Sequence, residues 1–374
     1  MSSFRNLLTI GTLFGITAFD TLLLAFALPS LIVDYGLTPS SAGFLGTILM
    51  SGVAIGSVIL GGLSDTIGRK RVILFSVLVF TLSTGLLALA KEYTLFAVLS
   101  LTSGFGLGGG LTLSIAYLPE LVNDLEKNMC YFESFWGVGA LCITIVYLFV
   151  KKLPELFVVG ALPIVFLPLF YKLPDFKGSK KSVIGNVKDL VSRYLKVTLI
   201  LWIVWFCGVF TYYGIFLWLP SVVSQKMFGS FMLIPIYGIQ VISPLVLSRI
   251  IQDDITKLLT IYSIVAAFTT LLSMCSEFLM FVGMLTTSFF SIGGWVLLIL
   301  LTQKSYPQSI RGLGVGSAAS FGRLGGIIAP YLTGFLIEKF GFELPLMMFA
   351  FLFVSMAVLV FFGVDYKSKN FKYL

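Results

Sequence analysis

Long apolar runs, each broken by a short polar or Gly/Pro stretch, repeat along the whole chain. They fall at residues 7–33, 41–63, 72–90, 94–118, 129–150, 155–172, 197–221, 227–251, 256–274, 277–302, 313–337 and 344–363. A bilayer-spanning helix needs about 20 apolar residues, so the pattern predicts twelve membrane spans and leaves no room for a sizeable soluble domain. Composition agrees: 58% of the 374 residues are apolar and 11% charged, where a soluble domain carries roughly 25% charged residues. The expected class is an all-α membrane protein. Residues 1–33 have the positive start and apolar core of a secretory signal, but the apolar run continues and contains Asp20. It is read as an uncleaved first span.

The net charge of +8 does not point to nucleic acid, because the basic residues sit in the connections between spans. They are distributed unevenly. Counting alternate connections, 19 Lys and Arg fall on the side of the N-terminus and 5 on the other, with Arg323 inside a span. The basic side of a membrane protein faces the cytoplasm, so a multi-pass protein of the cell membrane with both termini cytoplasmic is expected. Seven of the basic residues lie between Lys172 and Lys196. This stretch predicts a six-span half at 1–172, a basic linker at 173–196 and a second half at 197–374. Val183, Val187, Leu190, Val191 and Tyr194 recur at helical spacing within the linker, as in an amphipathic helix on the inner leaflet. A solvated linker that only sets topology is the alternative.

Chemistry-bearing residues are few. Histidine is absent, and Cys130, Cys142, Cys207 and Cys275 lie in apolar stretches without CxxC spacing. No metal site, disulfide framework or cofactor is expected. Gly104, Gly106 and Gly109 match GxGxxG, but a dinucleotide site needs a strand before the motif and a soluble βαβ unit around it. Inside an apolar span, such spacing allows close helix approach. An enzyme lacks its acid–base and nucleophilic players, and a sensor lacks an output domain.

The two halves look like repeats. Phe19 and Leu28-Pro29-Ser30 in the first span match Phe210 and Leu219-Pro220-Ser221 in the seventh. Gly108-Gly109 matches Gly293-Gly294, Pro119 matches Pro307, and Ser134 with Gly139 matches Ser320 with Gly325. Duplicated six-span units with a site between them characterise secondary transporters.

The connection after the second span reads Gly61-Gly62-Leu63-Ser64-Asp65-Thr66-Ile67-Gly68-Arg69-Lys70-Arg71. It resembles the signature loop of the major facilitator superfamily. Tyr117-Leu118-Pro119-Glu120-Leu121, Tyr213-Gly214-Ile215-Phe216-Leu217-Trp218-Leu219-Pro220 and Ser320-Phe321-Gly322-Arg323-Leu324-Gly325-Gly326 look like its metabolite:proton symporter branch, which includes aromatic-acid and nicotinate transporters. The resemblance implies two pseudo-symmetric six-helix halves and a small-molecule substrate moved with protons by alternating access. The sequence does not determine the oligomeric state; a monomer is the expectation. It also implies a cytoplasmic charge network of Glu120, Arg69 and Arg311, with Asp65 and Arg69 holding one gate closed. The loop Ser248–Lys257 departs from the signature, and Ser100 stands where many proton-coupled relatives carry arginine.

A charge near the bilayer centre costs about 2.5–3.5 kcal/mol, so Asp20 and Arg323 are the first site candidates. They are expected at similar depth, with Asp20 taking a proton or substrate and Arg323 an organic anion. Tyr212, Tyr213, Gln240 and Trp295 are candidate cavity residues that could meet an aromatic or apolar substrate. Glu133, read as one turn into the fifth span, and Glu120 are candidate gate ion pairs; solvated helix ends are the alternative. The leading expectation is a carboxylate:proton symporter. A second is an organic-cation or drug transporter in which Asp20 binds substrate charge.

Overall fold

The computed structural model describes residues 2–122, 124–150, 152–175, 190, 192–223, 229–251 and 254–364. Most of the linker expected to be amphipathic, and the basic tail, lie outside them. Among the described residues, twelve helices are long and apolar enough to cross a membrane: α1 (Phe4–Asp34), α2 (Pro39–Ile67), α3 (Arg69–Leu87), α4 (Tyr93–Leu121), α5 (Leu125–Phe149), α6 (Leu153–Tyr171), α7 (Leu195–Val223), α8 (Gly229–Ile250), α9 (Ile255–Leu272), α10 (Glu277–Lys304), α11 (Arg311–Phe340) and α12 (Glu343–Gly363). No strand occurs among the described residues.

Local chemistry sets where these helices begin and end. Four starts carry a side-chain cap for an otherwise orphaned backbone N–H. Thr38 accepts from the Ser41 N–H at 3.2 Å, and Asp124 accepts from that of Lys127 at 3.2 Å. Asp254 accepts from Thr256 at 3.1 Å, and Ser276 accepts from Leu279 at 3.2 Å. Gly68 ends α2 and starts α3 as the sole connecting residue, with φ at 101°, a region that favours glycine. Asp175 then covers the α3 start, its Oδ1 accepting from the Lys70 N–H at 3.3 Å. The helical part of α7 stops at Phe216 and resumes at Leu219. The Tyr237 hydroxyl satisfies the Phe216 carbonyl there at 2.6 Å.

Helix packing shows the duplication. In the first half, α2 packs on α4, α1 on α5 and α3 on both α4 and α6; in the second, α8 packs on α10, α7 on α11 and α9 on both α10 and α12. Each pair maps on its counterpart by adding six. The main contacts between halves, α2 with α11 and α5 with α8, exchange under the same operation. The arrangement is therefore a pseudo-twofold pair of six-helix halves.

Glycines make the close contacts possible. A side chain at Gly104 or Gly108 would run into the backbone oxygens of Leu49 or Val53 on α2, and one at Gly106 would meet α3 at Ser76 and Phe80. The GxGxxG-like run is thus a packing surface facing two helices. Large apolar side chains such as Val58, Leu82, Val98, Phe268, Phe351 and Phe361 point outward, as a lipid solvent permits.

Candidate functional site

A cavity of about 200 Å³ lies between the halves. Phe14, Met50, Val53, Leu111, Ile115, Glu133 and Trp136 wall it on one side; Trp205, Val209, Tyr212, Tyr213, Tyr262, Trp295, Arg323 and Phe353 are among the residues on the other. It extends along α10 as far as Gln303, one residue before that helix ends. Beyond its far end the halves close tightly. The Thr47 hydroxyl of α2 donates to the Ile327 carbonyl of α11 at 2.6 Å, and a side chain at Gly43 or Gly334 would strike backbone of the opposite helix. Glu338 accepts from the Ser40 hydroxyl at 2.5 Å and from its N–H at 3.1 Å, a carboxylate set on the start of α2 where the helix dipole favours it.

Arg323 lies twelve residues into α11, about 18 Å by helical rise. Gly322, Gly325 and Gly326 flank it and let α11 approach α7 at Trp205, Phe206 and Val209. Its Nη2 donates to the Thr112 hydroxyl of α4 at 2.9 Å, a bond across the two halves. Guanidinium carries five N–H donors in a fork, so others remain for a ligand in the cavity that Arg323 lines.

Glu133 differs in position from the sequence expectation. With Asp124 as cap, α5 starts at Leu125, which puts Glu133 about 12 Å along the helix and on the cavity wall, away from the helix end. It is 1% exposed, its Oε1 has no hydrogen-bond partner, and it makes no ion pair among the described residues. The expected gate ion pair of Glu133 is absent from this arrangement.

Asp20 also differs. It is 4% exposed but does not line the cavity; it sits within the first half, against α3, α4 and α6. Its Oδ2 accepts from Thr84 at 2.9 Å and Ser103 at 3.3 Å, while Oδ1 has no hydrogen-bond partner and faces the space left by Gly160. Asp20 and Arg323, expected at similar depth, thus occupy separate environments. The span limits that set them level carry no information about which face of its helix each residue takes.

Of the aromatic and amide candidates, Tyr212, Tyr213 and Trp295 line the cavity, whereas Gln240 lies behind Tyr212 and is fully buried. These groups form a chain. The Trp136 indole N–H donates to the Tyr212 hydroxyl, which donates to Gln240 Oε1 at 3.2 Å. The Gln240 amide donates to Ser288 at 3.0 Å, and Ser288 to the Ile236 carbonyl at 2.6 Å. Most of the polar capacity of Tyr212 and Gln240 is spent on joining α5, α7, α8 and α10. Sequence reasoning missed Trp136, and an aromatic one turn beyond a buried acid was the available signal.

At the end of the bundle where α2 meets α3, Arg69 pairs with Glu120 at 2.7 Å and donates to the Ala116 carbonyl at 2.7 Å. This ties α3 to α4 within one half. Asp65 is exposed and is not the partner of Arg69 here. Arg311, expected in the same network, is exposed and donates to its own loop at the Tyr306 carbonyl, 3.4 Å away. Among the described residues, the ion pair that does cross between halves at this end is Glu126 of α5 with Lys304 of α10, at 2.8 Å, and neither residue was singled out from the sequence. Their positions carried a signal: an acid in a first helical turn and a base in a last one each complement the helix dipole.

Comparison with known proteins agrees with this architecture. A protein of Bacillus subtilis named "Putative niacin/nicotinamide transporter NiaP" is 34% identical over 88% of this chain and 87% of its own length. The niacin transporter NiaP of Acinetobacter baylyi is 29% identical over 94% and 92%, and the 3-(3-hydroxy-phenyl)propionate transporter of Escherichia coli is 28% identical over 89% and 87%. Among solved structures, a D-xylose-proton symporter superposes with a TM-score of 0.81 over 98% of this chain and 99% of its own, at 16% identity, which is a likeness of fold. Residues 9–273 match the family model of the Major Facilitator Superfamily. With that match, the duplicated twelve-helix bundle and the signature loop at Gly61–Arg71, the chain belongs to the major facilitator superfamily.

Proposed function

We propose that the chain is a secondary active transporter that carries a small aromatic carboxylate with protons by alternating access. The observation that carries this reading is the Arg323 guanidinium, turned into a cavity whose other walls are largely aromatic and aliphatic. Guanidinium matches a carboxylate with two parallel hydrogen bonds, and the rings of Tyr213, Trp205 and Trp295 suit the flat, apolar remainder of the ligand. The names of the niacin and aromatic-acid relatives support the same class. The cation-transport alternative loses its motivating residue, since Asp20 does not line the cavity. The excess of basic residues on one side supports cytoplasmic termini in the cell membrane.

Asp20 is assigned the coupled proton. A carboxylate enclosed by Thr84, Ser103 and Gly160, with no cation beside it among the described residues, is costly to keep charged. Protonation removes that cost.

Purified protein in proteoliposomes tests the reading, with labelled pyridine-3-carboxylate, benzoate, a quaternary ammonium ion and a pentose. Accumulation of one or both carboxylates, enhanced by an alkaline interior, is the expected result. Uptake of the ammonium ion or the sugar without either carboxylate would overturn it.

Gating is assigned to contacts that join the halves at opposite ends: Glu126–Lys304 at one, Ser40–Glu338 at the other. Arg69 and Glu120 brace the first half behind them, and Asp65 and Arg311 have partners to find only if the helices rearrange. The Glu126–Lys304 pair is more than one-third exposed on average, so it contributes at most about 1 kcal/mol. Lys304→Glu should therefore change turnover only a few-fold, with substrate affinity held within twofold. Adding Glu126→Lys should recover part of the loss, because the swapped pair re-forms with each charge on the unfavourable end of its helix. Identical turnover in all three proteins, read by single-cycle uptake, would remove the pair from the gate.

A further inference from the structure

Two side chains of the charged types, Arg323 and Glu133, line the cavity, and they stand on opposite halves. The first, on α11, keeps part of its fork free. The second, on α5, is 1% exposed with an unpartnered carboxyl oxygen. They form no ion pair with each other. The nearby Trp136 N–H, Tyr212 hydroxyl and Gln240 amide are engaged in the chain that ends at the Ile236 carbonyl. A buried carboxyl without a partner costs free energy that a ligand can return.

We propose that Glu133 is a specificity-determining residue that recognises the ring nitrogen of an N-heteroaromatic carboxylate, the class to which the substrate named for the niacin relatives belongs, while Arg323 holds the carboxylate. The inference rests on the carboxylate-transport reading above and narrows its substrate class. A pyridine nitrogen and a carboxyl group share one proton between them, either as O–H···N or as O⁻···H–N⁺, and the total charge of the pair is the same in both. The ring then lies between the halves, held from both sides. A benzene carboxylate satisfies Arg323 equally well but leaves Glu133 dry and unpaired. Sites that hydrogen-bond a substrate group reject analogues lacking it far better than apolar pockets reject a change of size. Glu133 thereby helps choose the substrate, a role that its expected place near a helix end did not suggest.

Equilibrium binding to the purified full-length protein tests it, with labelled pyridine-3-carboxylate competed by benzoate, and the ratio of their dissociation constants as readout. Wild type should prefer the pyridine by about tenfold or more. Glu133→Leu should bring the ratio to within about twofold of unity, chiefly by weakening the pyridine. Glu133→Gln keeps the size and an N–H donor for a neutral ring nitrogen, so it should retain an intermediate preference; it also serves if the leucine variant does not fold. A ratio unchanged in Glu133→Gln and Glu133→Leu, with pyridine-3-carboxylate still bound, would overturn the role of Glu133 alone. Failure of wild type to bind either carboxylate would overturn the carboxylate reading and this inference with it.

Discussion

Arg323→Ala should abolish saturable carboxylate binding and bring uptake to the level of empty liposomes. The substrate carboxylate leaves water to enter a cavity walled mainly by aromatic and aliphatic side chains, and Arg323 is the cation turned into it. Removing one member of a buried charge pair costs about 3–5 kcal/mol, which is a loss of about two to nearly four orders of magnitude in affinity. Arg323→Lys should also weaken binding, by about tenfold, because an ammonium is a point charge that does not reproduce the planar fork. It also has to replace the bond from Nη2 to Thr112 at 2.9 Å. Isothermal titration with pyridine-3-carboxylate separates the outcomes, with thermal unfolding to confirm that the variants are folded. Binding by Arg323→Ala at wild-type affinity would place the anion elsewhere and remove the basis of the proposed function.

Asp20→Asn should leave substrate exchange in place while eliminating accumulation driven by a pH gradient. Under the proposed assignment the two properties rest on separate groups. Asp20 does not line the cavity, and its contacts are the hydroxyls of Thr84 and Ser103, so the isosteric amide keeps an acceptor for them without touching the ligand. The amide cannot release a proton. A carrier fixed in the neutral form can still cycle with substrate aboard, but it has no charged state in which to complete a proton-coupled cycle. Counterflow within about twofold of wild type, together with loss of gradient-driven uptake by tenfold or more, is the expected pair of results. Gradient-driven accumulation at wild-type level would show that the proton travels on another group, with Glu133 the next carboxyl to test.

The predicted spans agree with the twelve helices closely because the solvent writes itself into the sequence. Every stretch in contact with hydrocarbon must be apolar and must satisfy its own backbone hydrogen bonds. The start of α5 shows where the reading loses precision. Asn128 and Lys127 look like loop residues, yet Asp124 caps the helix before them, and this four-residue extension carries Glu133 from a helix end to a cavity wall. The GxGxxG-like run was read correctly as packing, since its apolar context excludes the alternative. Which helices it packs on was not readable.

The same limit applies to the site. By itself the sequence determined the twelve spans, the duplication, the family signature, and the rarity of intramembrane charge that singled out Asp20 and Arg323. Each of these is a property of one segment or of two segments compared, and membrane burial or repetition imposes it directly. Only the tertiary structure decided that Asp20 is enclosed within one half while Arg323 and Glu133 face a common cavity. It alone decided that Arg69 pairs with Glu120, and that Glu126 and Lys304 meet across the halves. A helix that packs on neighbours over most of its circumference has little hydrophobic asymmetry to betray its inward face. The rotation of α1, α5 and α11 is fixed instead by glycine-lined contacts such as Gly15 with Gly139 and Gly325 with Phe206, and those depend on residues far apart in the chain.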